Sequence, residues 1–243
     1  MPPGSPERLP EMRRRALLRG LALGNVALAA PALATPGRVL MATVDVGAGL
    51  REALALAGDA AIARLGVPGG FADDPIVRIR LPGGLDRVRE GLVEAGLGPL
   101  VLDLEARMNS AAELVMPATR PLLEAATASL AIENAEDILA GADDSATRLL
   151  EGEAGSGLAA EINPLVAEAV VATGANAAFD AFVAEYSRLP LMPNVAGKLT
   201  SHVVESSLAG LFLYMGEQER AIRRDSSART TELLQAVFGA SRG

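Results

Sequence analysis

The sequence predicts an all-α protein, a single multi-helix, bundle-like domain with a minor short extended segment near residues 76–81. Three observations predict it. Alanine and leucine dominate the chain, and both are strong helix formers. Apolar residues recur three and four positions apart through most of the length, which is the spacing of one helix face. Alternation of apolar and polar residues, the mark of a half-buried strand, is confined to residues 76–81.

The first 34 residues read as an address, apart from the fold. Met12-Arg13-Arg14-Arg15-Ala16-Leu17-Leu18-Arg19 is basic, Gly20 to Ala30 is weakly apolar, and Pro31-Ala32-Leu33-Ala34 ends in a small-x-small site. That is the order of a cleavable secretory signal, with cleavage after Ala34. The apolar run is shorter than the roughly 20 residues a bilayer core requires. Arg14-Arg15 followed by Ala16-Leu17-Leu18-Arg19 resembles a twin-arginine signal, a receptor-read address for proteins exported already folded. Arg13 stands where such signals usually carry Ser or Thr. The expectation is a periplasmic or otherwise exported protein whose mature helical domain spans residues 35–243.

Within that domain, Val46 to Leu65 places Leu50, Leu54, Ala57, Ala61 and Leu65 on one face, with Gly66 as the stop. Pro68-Gly69-Gly70 and Asp73-Asp74-Pro75 are turns. Ile76 to Leu81 is the extended segment, closed by Pro82-Gly83-Gly84. Leu85, Val88 and Leu92 make a short helix face that ends near Gly96. From about Pro99 a longer helix carries Leu100, Leu104, Met108, Ala111 and Val115 on one side. Pro117 and Pro121 kink it or start a second helix through Ala128, because each removes an internal hydrogen bond.

Glu133 to Ala140 is a short helix stopped by Gly141, and Asp143 or Asp144 caps the next, through Thr147 to Leu150. Gly152 to Gly157 reads as a glycine-rich loop and Asn163-Pro164 as a fresh helix start. Phe179, Phe182, Val183 and Tyr186 stripe the helix that follows, and Leu189 to Gly197 is a loop. Leu199 to Arg223 is the strongest element. Its run Leu208 to Met215 is apolar nearly all round, so it should be the buried central helix. Its end, Glu217 to Arg224, reads as charged and solvated. Thr230 to Phe238 closes the chain, docking Leu233, Leu234, Val237 and Phe238.

Charge narrows the function. Removing Arg8, Arg13, Arg14, Arg15 and Arg19 with Glu7 and Glu11 reduces 22 basic and 30 acidic residues to 17 and 28, a net charge of −11. So negative a surface repels phosphate backbones and anionic lipid, so no nucleic acid is expected as a partner. The chain has no cysteine, which excludes disulfides, thiolate metal sites and a lipid-anchored N-terminus. Tryptophan is absent and aromatics are few, which disfavours sites that stack sugars or bases.

The catalytic arrangements sought do not occur. No serine lies in Gly-x-Ser-x-Gly, the single lysine Lys198 lacks a serine three positions before it, and His202 is the single histidine. His202 reads as a satisfied surface or boundary residue. No metal and no cofactor is expected. Two carboxylate pairs remain, Asp73-Asp74 and Asp143-Asp144. Short carboxylates in turns and at helix starts satisfy orphan backbone N–H groups. The functional alternative is that loops bring the pairs together to hold a hard cation. Asn109 and Glu113 lie four apart on the apolar side of the long helix, so the pair should be partly buried. A buried carboxylate needs partners, and Arg229 with Thr230 could supply them. The four residues would then form either a polar network fixing helix register or a pocket for a small polar ligand.

Six segments, in this order, carry a family resemblance: Gly49-Leu50-Arg51-Glu52-Ala53-Leu54, Phe71-Ala72-Asp73-Asp74-Pro75, Met108-Asn109-Ser110-Ala111-Ala112-Glu113, Gly141-Ala142-Asp143-Asp144-Ser145-Ala146-Thr147, Leu189-Pro190-Leu191 and Ala228-Arg229-Thr230-Thr231-Glu232-Leu233-Leu234. Together they resemble the bacterial family called domain of unknown function 4197. The resemblance implies an exported helical protein and brings with it no activity or functional residue. The reading that follows is a soluble periplasmic binding or interaction module with a protein partner or small ligand. A carboxylate- or metal-dependent hydrolase-like enzyme and a chaperone-like or structural envelope protein are the alternatives.

Overall fold

A computed structural model describes residues 44–82, 85, 89–188 and 199–240. The expected export signal and the loop expected at Leu189 to Gly197 lie outside the described residues. The elements are α1 (Val46–Leu65), α2 (Arg89–Leu92), a π-helical turn (Val93–Leu97), α3 (Gly98–Ser129), α4 (Ala135–Ala140), α5 (Ser145–Ala172), α6 (Ala175–Tyr186), α7 (Leu199–Arg224), a 3₁₀ turn (Ser226–Ala228) and α8 (Glu232–Ala240). No strand occurs among the described residues, and the fold is all-α.

Four long helices surround the core in the cyclic order α1, α3, α5, α7. Neighbours run antiparallel. Arg51 near the start of α1 reaches the carbonyl of Leu130 just past the end of α3, and Asp59 pairs with Arg120. Arg107, early in α3, donates to the carbonyl of Thr173 just past α5. Ala146 at the start of α5 meets Glu219 late in α7. This is the up-down-up-down order of a four-helix bundle. Leu54, Leu104, Met108, Leu150, Ile162, Val203, Leu211 and Met215 are fully enclosed between the four. The α6 helix lies on α3 and α5, and α8 packs on α1 and α7.

Two expectations fail in the same way. Gly152 to Gly157 is not a loop and Asn163-Pro164 does not start a helix, because α5 runs unbroken through both. Of the two alternatives at Pro117 and Pro121, a kink or a second helix, the second helix does not form, since α3 runs through both. Local propensity is a weak force beside burial. Leu150, Leu158, Ile162 and Val166 sit at helical spacing with exposures of 0 to 3 %. Burying one such side chain is worth about 1.5–3 kcal/mol, whereas a helical glycine costs about 1.

The segment 66–81 has no regular hydrogen-bonded structure, yet its alternation is as read. Val77, Ile79 and Leu81 are buried while Ile76, Arg78 and Arg80 are exposed. Gly69 makes its turn possible, with a φ of 86° and no room for a Cβ beside the Asp73 carboxylate. Phe71, wholly buried, lies across Gly210 of α7, where a Cβ would stand 2.9 Å from the ring.

No single helix among the described residues is long and apolar enough to cross a membrane. The pair α5 and α6, bent by 70°, meets that length and composition jointly. Its apolar residues Leu158, Ile162, Val166, Val170 and Phe182 are core residues.

Candidate functional site

The polar residues singled out from the sequence gather at α3 and α7. On α3, Asn109 and Glu113 do share a buried face, at 1 % and 8 % exposure. Their partner is the segment 71–79. One Glu113 carboxylate oxygen accepts the backbone N–H groups of Phe71 and Ala72, each at 3.0 Å. The Asn109 amide accepts from the Ile79 N–H at 2.9 Å and donates to the Ile79 carbonyl at 2.8 Å. That paired exchange is what a neighbouring strand would offer Ile79. One side chain thus replaces a sheet, which explains how an extended stretch persists without one.

Arg229 and Thr230 do not complete this cluster. Arg229 is buried, but its guanidinium donates to the carbonyls of Ile222 and Arg223, both at 2.9 Å, and so closes the C-terminal end of α7. Thr230 is exposed. Thr231 instead accepts from the Leu234 N–H and starts α8.

The two aspartate pairs are arranged alike. In each, the first residue is near the surface and the second is drawn inward to arginines. Asp74 takes hydrogen bonds from the Tyr214 hydroxyl and, at 2.9 Å, from Arg64, whose guanidinium lies 3.7 Å over the Tyr214 ring. The hydroxyl of Tyr214, with the Ile76 N–H and Arg64, holds the Asp74 carboxyl below the usual carboxylate range against the effect of burial. Burial, and after it the Asp74 hydrogen bond, pushes the Tyr214 phenol up to about 12. Asp73 is exposed next to Gly69.

Asp144 is 7 % exposed and sits at the N-cap position of α5, but its side chain makes no cap bond. It pairs with Arg220 at 2.8 Å and Arg148 at 3.0 Å. Burial raises its carboxyl, and the hydrogen bonds from Arg220 and Arg148 more than offset that, leaving it below the usual range. Asp143 pairs with Arg224.

The cap of α5 comes from α7. Glu219 is completely buried; one oxygen accepts from the Ala146 N–H at 3.1 Å, the other from the Thr147 N–H at 2.8 Å and its hydroxyl at 2.7 Å. Arg223, four residues on, pairs with Glu219 at 2.8 Å and donates to the carbonyls of Ile138 and Leu139 that end α4. Its guanidinium also lies 5.5 Å from the centre of the Phe238 ring on α8. The end of α7 is therefore not a solvated tail, as its charge suggested. The missed signal was register: Leu208, Phe212, Met215, Glu219 and Ile222 fall on one helical stripe, so Glu219 continues the buried face.

His202 sits at the boundary, its Nε2 2.8 Å from the Arg80 carbonyl. Among the described residues, no group of three or more His, Cys, Asp or Glu side chains could hold a metal ion. Of the four aspartates, Asp74, Asp143 and Asp144 are tied to different partners and Asp73 is exposed.

The profile of one protein family, described as a protein of unknown function (DUF4197), matches residues 41–239. The chain belongs to the DUF4197 family. No curated protein and no solved structure matches it. In this DUF4197 chain the segments that carried the resemblance are fastening points. Gly49 of the first lets α1 approach α8, since a Cβ there would stand 2.5 Å from Val237. The second and third are joined by Glu113, the fourth is held by Glu219 and Arg223, and the sixth caps α7 through Arg229. The fifth, Leu189-Pro190-Leu191, lies outside the described residues.

Proposed function

We propose that this DUF4197 protein is an exported, periplasmic helical binding or interaction module, not an enzyme. One observation carries the reading. Of the carboxylates that the sequence singles out for chemistry, Asp74, Asp143, Asp144 and Glu113 are each engaged by this chain's own arginines, tyrosine or backbone N–H groups, and Asp73 is exposed beside Gly69. A general acid or base needs a free lone pair or proton facing substrate. The engaged carboxylates act instead as fasteners. Against a chaperone-like groove, Leu102 and Leu114 stand about 18 Å apart along α3 and Val44, Val93 and Val171 lie on other segments, while Val67 and Ile76 share the turn 66–81. Export rests on the order of features in residues 1–34.

The test is native mass spectrometry of the full-length gene product, recovered gently from the periplasm and the cytoplasm of its own host. The reading expects a periplasmic species beginning at Thr35 that carries a stoichiometric protein or small-molecule mass. An uncleaved cytoplasmic chain would overturn export, and a bare monomer would overturn the binding role.

A further inference from the structure

Besides its fastened carboxylates, the protein carries acidic groups to which the described residues give no ion pair or hydrogen bond. A groove of about 590 Å³ runs between α4 and the first turns of α5, within the size range of ligand-binding clefts. Half-buried Ile138 and Leu149 line it with exposed Ala131, and the exposed Glu133, Asp137 and Glu153 form its acidic rim. Among the described residues none of these three carboxylates has an ion pair or hydrogen bond, although Asp59, Asp74, Asp103, Glu105, Asp143, Asp144, Glu185 and Glu219 all do.

The deficit is written into the sequence. From Pro121 to Thr147 the chain has six carboxylates and no lysine, arginine or histidine. Covering is also incomplete, for α4 has no fully buried residue although Ala135, Ile138 and Leu139 lean on the core. Half-buried Ile138 and Leu149 offer an occupant a small apolar contact, and the unpaired rim selects its charge.

We propose that this groove docks a cationic amphipathic segment of a partner protein. One or two bulky apolar side chains would lie over Ile138 and Leu149, with lysines or arginines facing Glu133, Asp137 and Glu153. This deepens the binding-module reading and rests on it.

The experiment titrates the full chain with a labelled amphipathic peptide of about 14 residues, built of leucine and lysine only, and follows fluorescence anisotropy. Two triple variants are compared. Glu133→Gln with Asp137→Asn and Glu153→Gln neutralises the rim; Glu124→Gln with Glu161→Gln and Glu168→Gln removes the same charge elsewhere. The expected result is binding that weakens about tenfold or more in the rim variant and less than about twofold in the control. Leu149→Ser, which keeps every charge, should also weaken it. Equal losses in the two triple variants would show attraction to net charge alone and overturn the proposal. So would an absence of peptide binding to the wild type. If native mass spectrometry still showed a bound mass in that case, the binding module would stand and this groove would not be its site.

Discussion

Glu113 and Glu219 each accept backbone N–H groups from a distant segment, but they are held on different terms. Glu113 keeps slight access to solvent and receives two N–H groups on one oxygen, with the neutral Asn109 as its neighbour. Glu219 is wholly enclosed, uses both oxygens, and needs Arg223, itself buried, beside it. Water that still reaches Glu113 supplies part of what its charge requires. Glu219 has no such recourse, so the protein surrounds it with donors and a counter-ion. The first device fixes a turn and stands in for a sheet; the second stands in for a helix cap and joins four helices. A buried charge here is therefore a measure of how many elements depend on it.

Breaking the α7 device should have the largest effect. Glu219→Ala leaves Arg223 buried without its carboxylate and three donors unmet, and is expected to cost about 3–5 kcal/mol. Urea unfolding would read this as a lowered midpoint, and a loss below about 1 kcal/mol would mean that the α5 start holds itself. Alkali should act next. Unfolded Tyr214 ionises near its ordinary value of 10.0 while the folded phenol waits until about 12. Stability from this raised group is thus complete below pH ~10 and is lost as pH climbs from there to about 12, by at most about 2–3 kcal/mol. Burial raises the other tyrosine, Tyr186, as well. Ultraviolet titration should accordingly show phenolate appearing together with unfolding, and a free tyrosine step near pH 10 in the folded protein would contradict it. Asp74 and Asp144 have the opposite sign: their lowered carboxyls contribute above pH ~4 and lose that contribution as acid protonates them.

Weakening the α3 device should cost less. Glu113→Gln keeps the shape and one acceptor oxygen but loses the charge, and about 1–2 kcal/mol is expected. An unchanged melting temperature would show that the turn 66–81 is held by Asn109 and Phe71 alone. The smallest change is a gain. A Cβ at Gly157 meets nothing within 4 Å, so Gly157→Ala should stabilise a continuous α5 by about 0.5–1 kcal/mol. Destabilisation would instead restore the loop that the glycines suggest.

Of the fold, α1, α7 and the first half of α3 were legible because a helix face repeats every three to four residues and needs only neighbours along the chain to be seen. Asn109 and Glu113 were legible as a pair for the same reason: polar groups on an apolar stripe must be satisfied somewhere. Where they would be satisfied was not legible. Arg229 offered the right chemistry and lies against α7 instead, because pairing across dozens of residues is set by bundle topology.

By itself, then, the sequence determined the helical class, the positions of the longest apolar faces, the lack of thiol chemistry and the presence of buried polar groups. Each follows from composition or from a period along one chain. Tertiary structure alone decided that α5 passes through its glycines and Pro164, that Asn109 serves as a strand for Ile79, and that Glu219 caps a helix more than 70 residues before it. These depend on which helices are neighbours. Burial across neighbouring helices outweighs the local preferences of the residues between them.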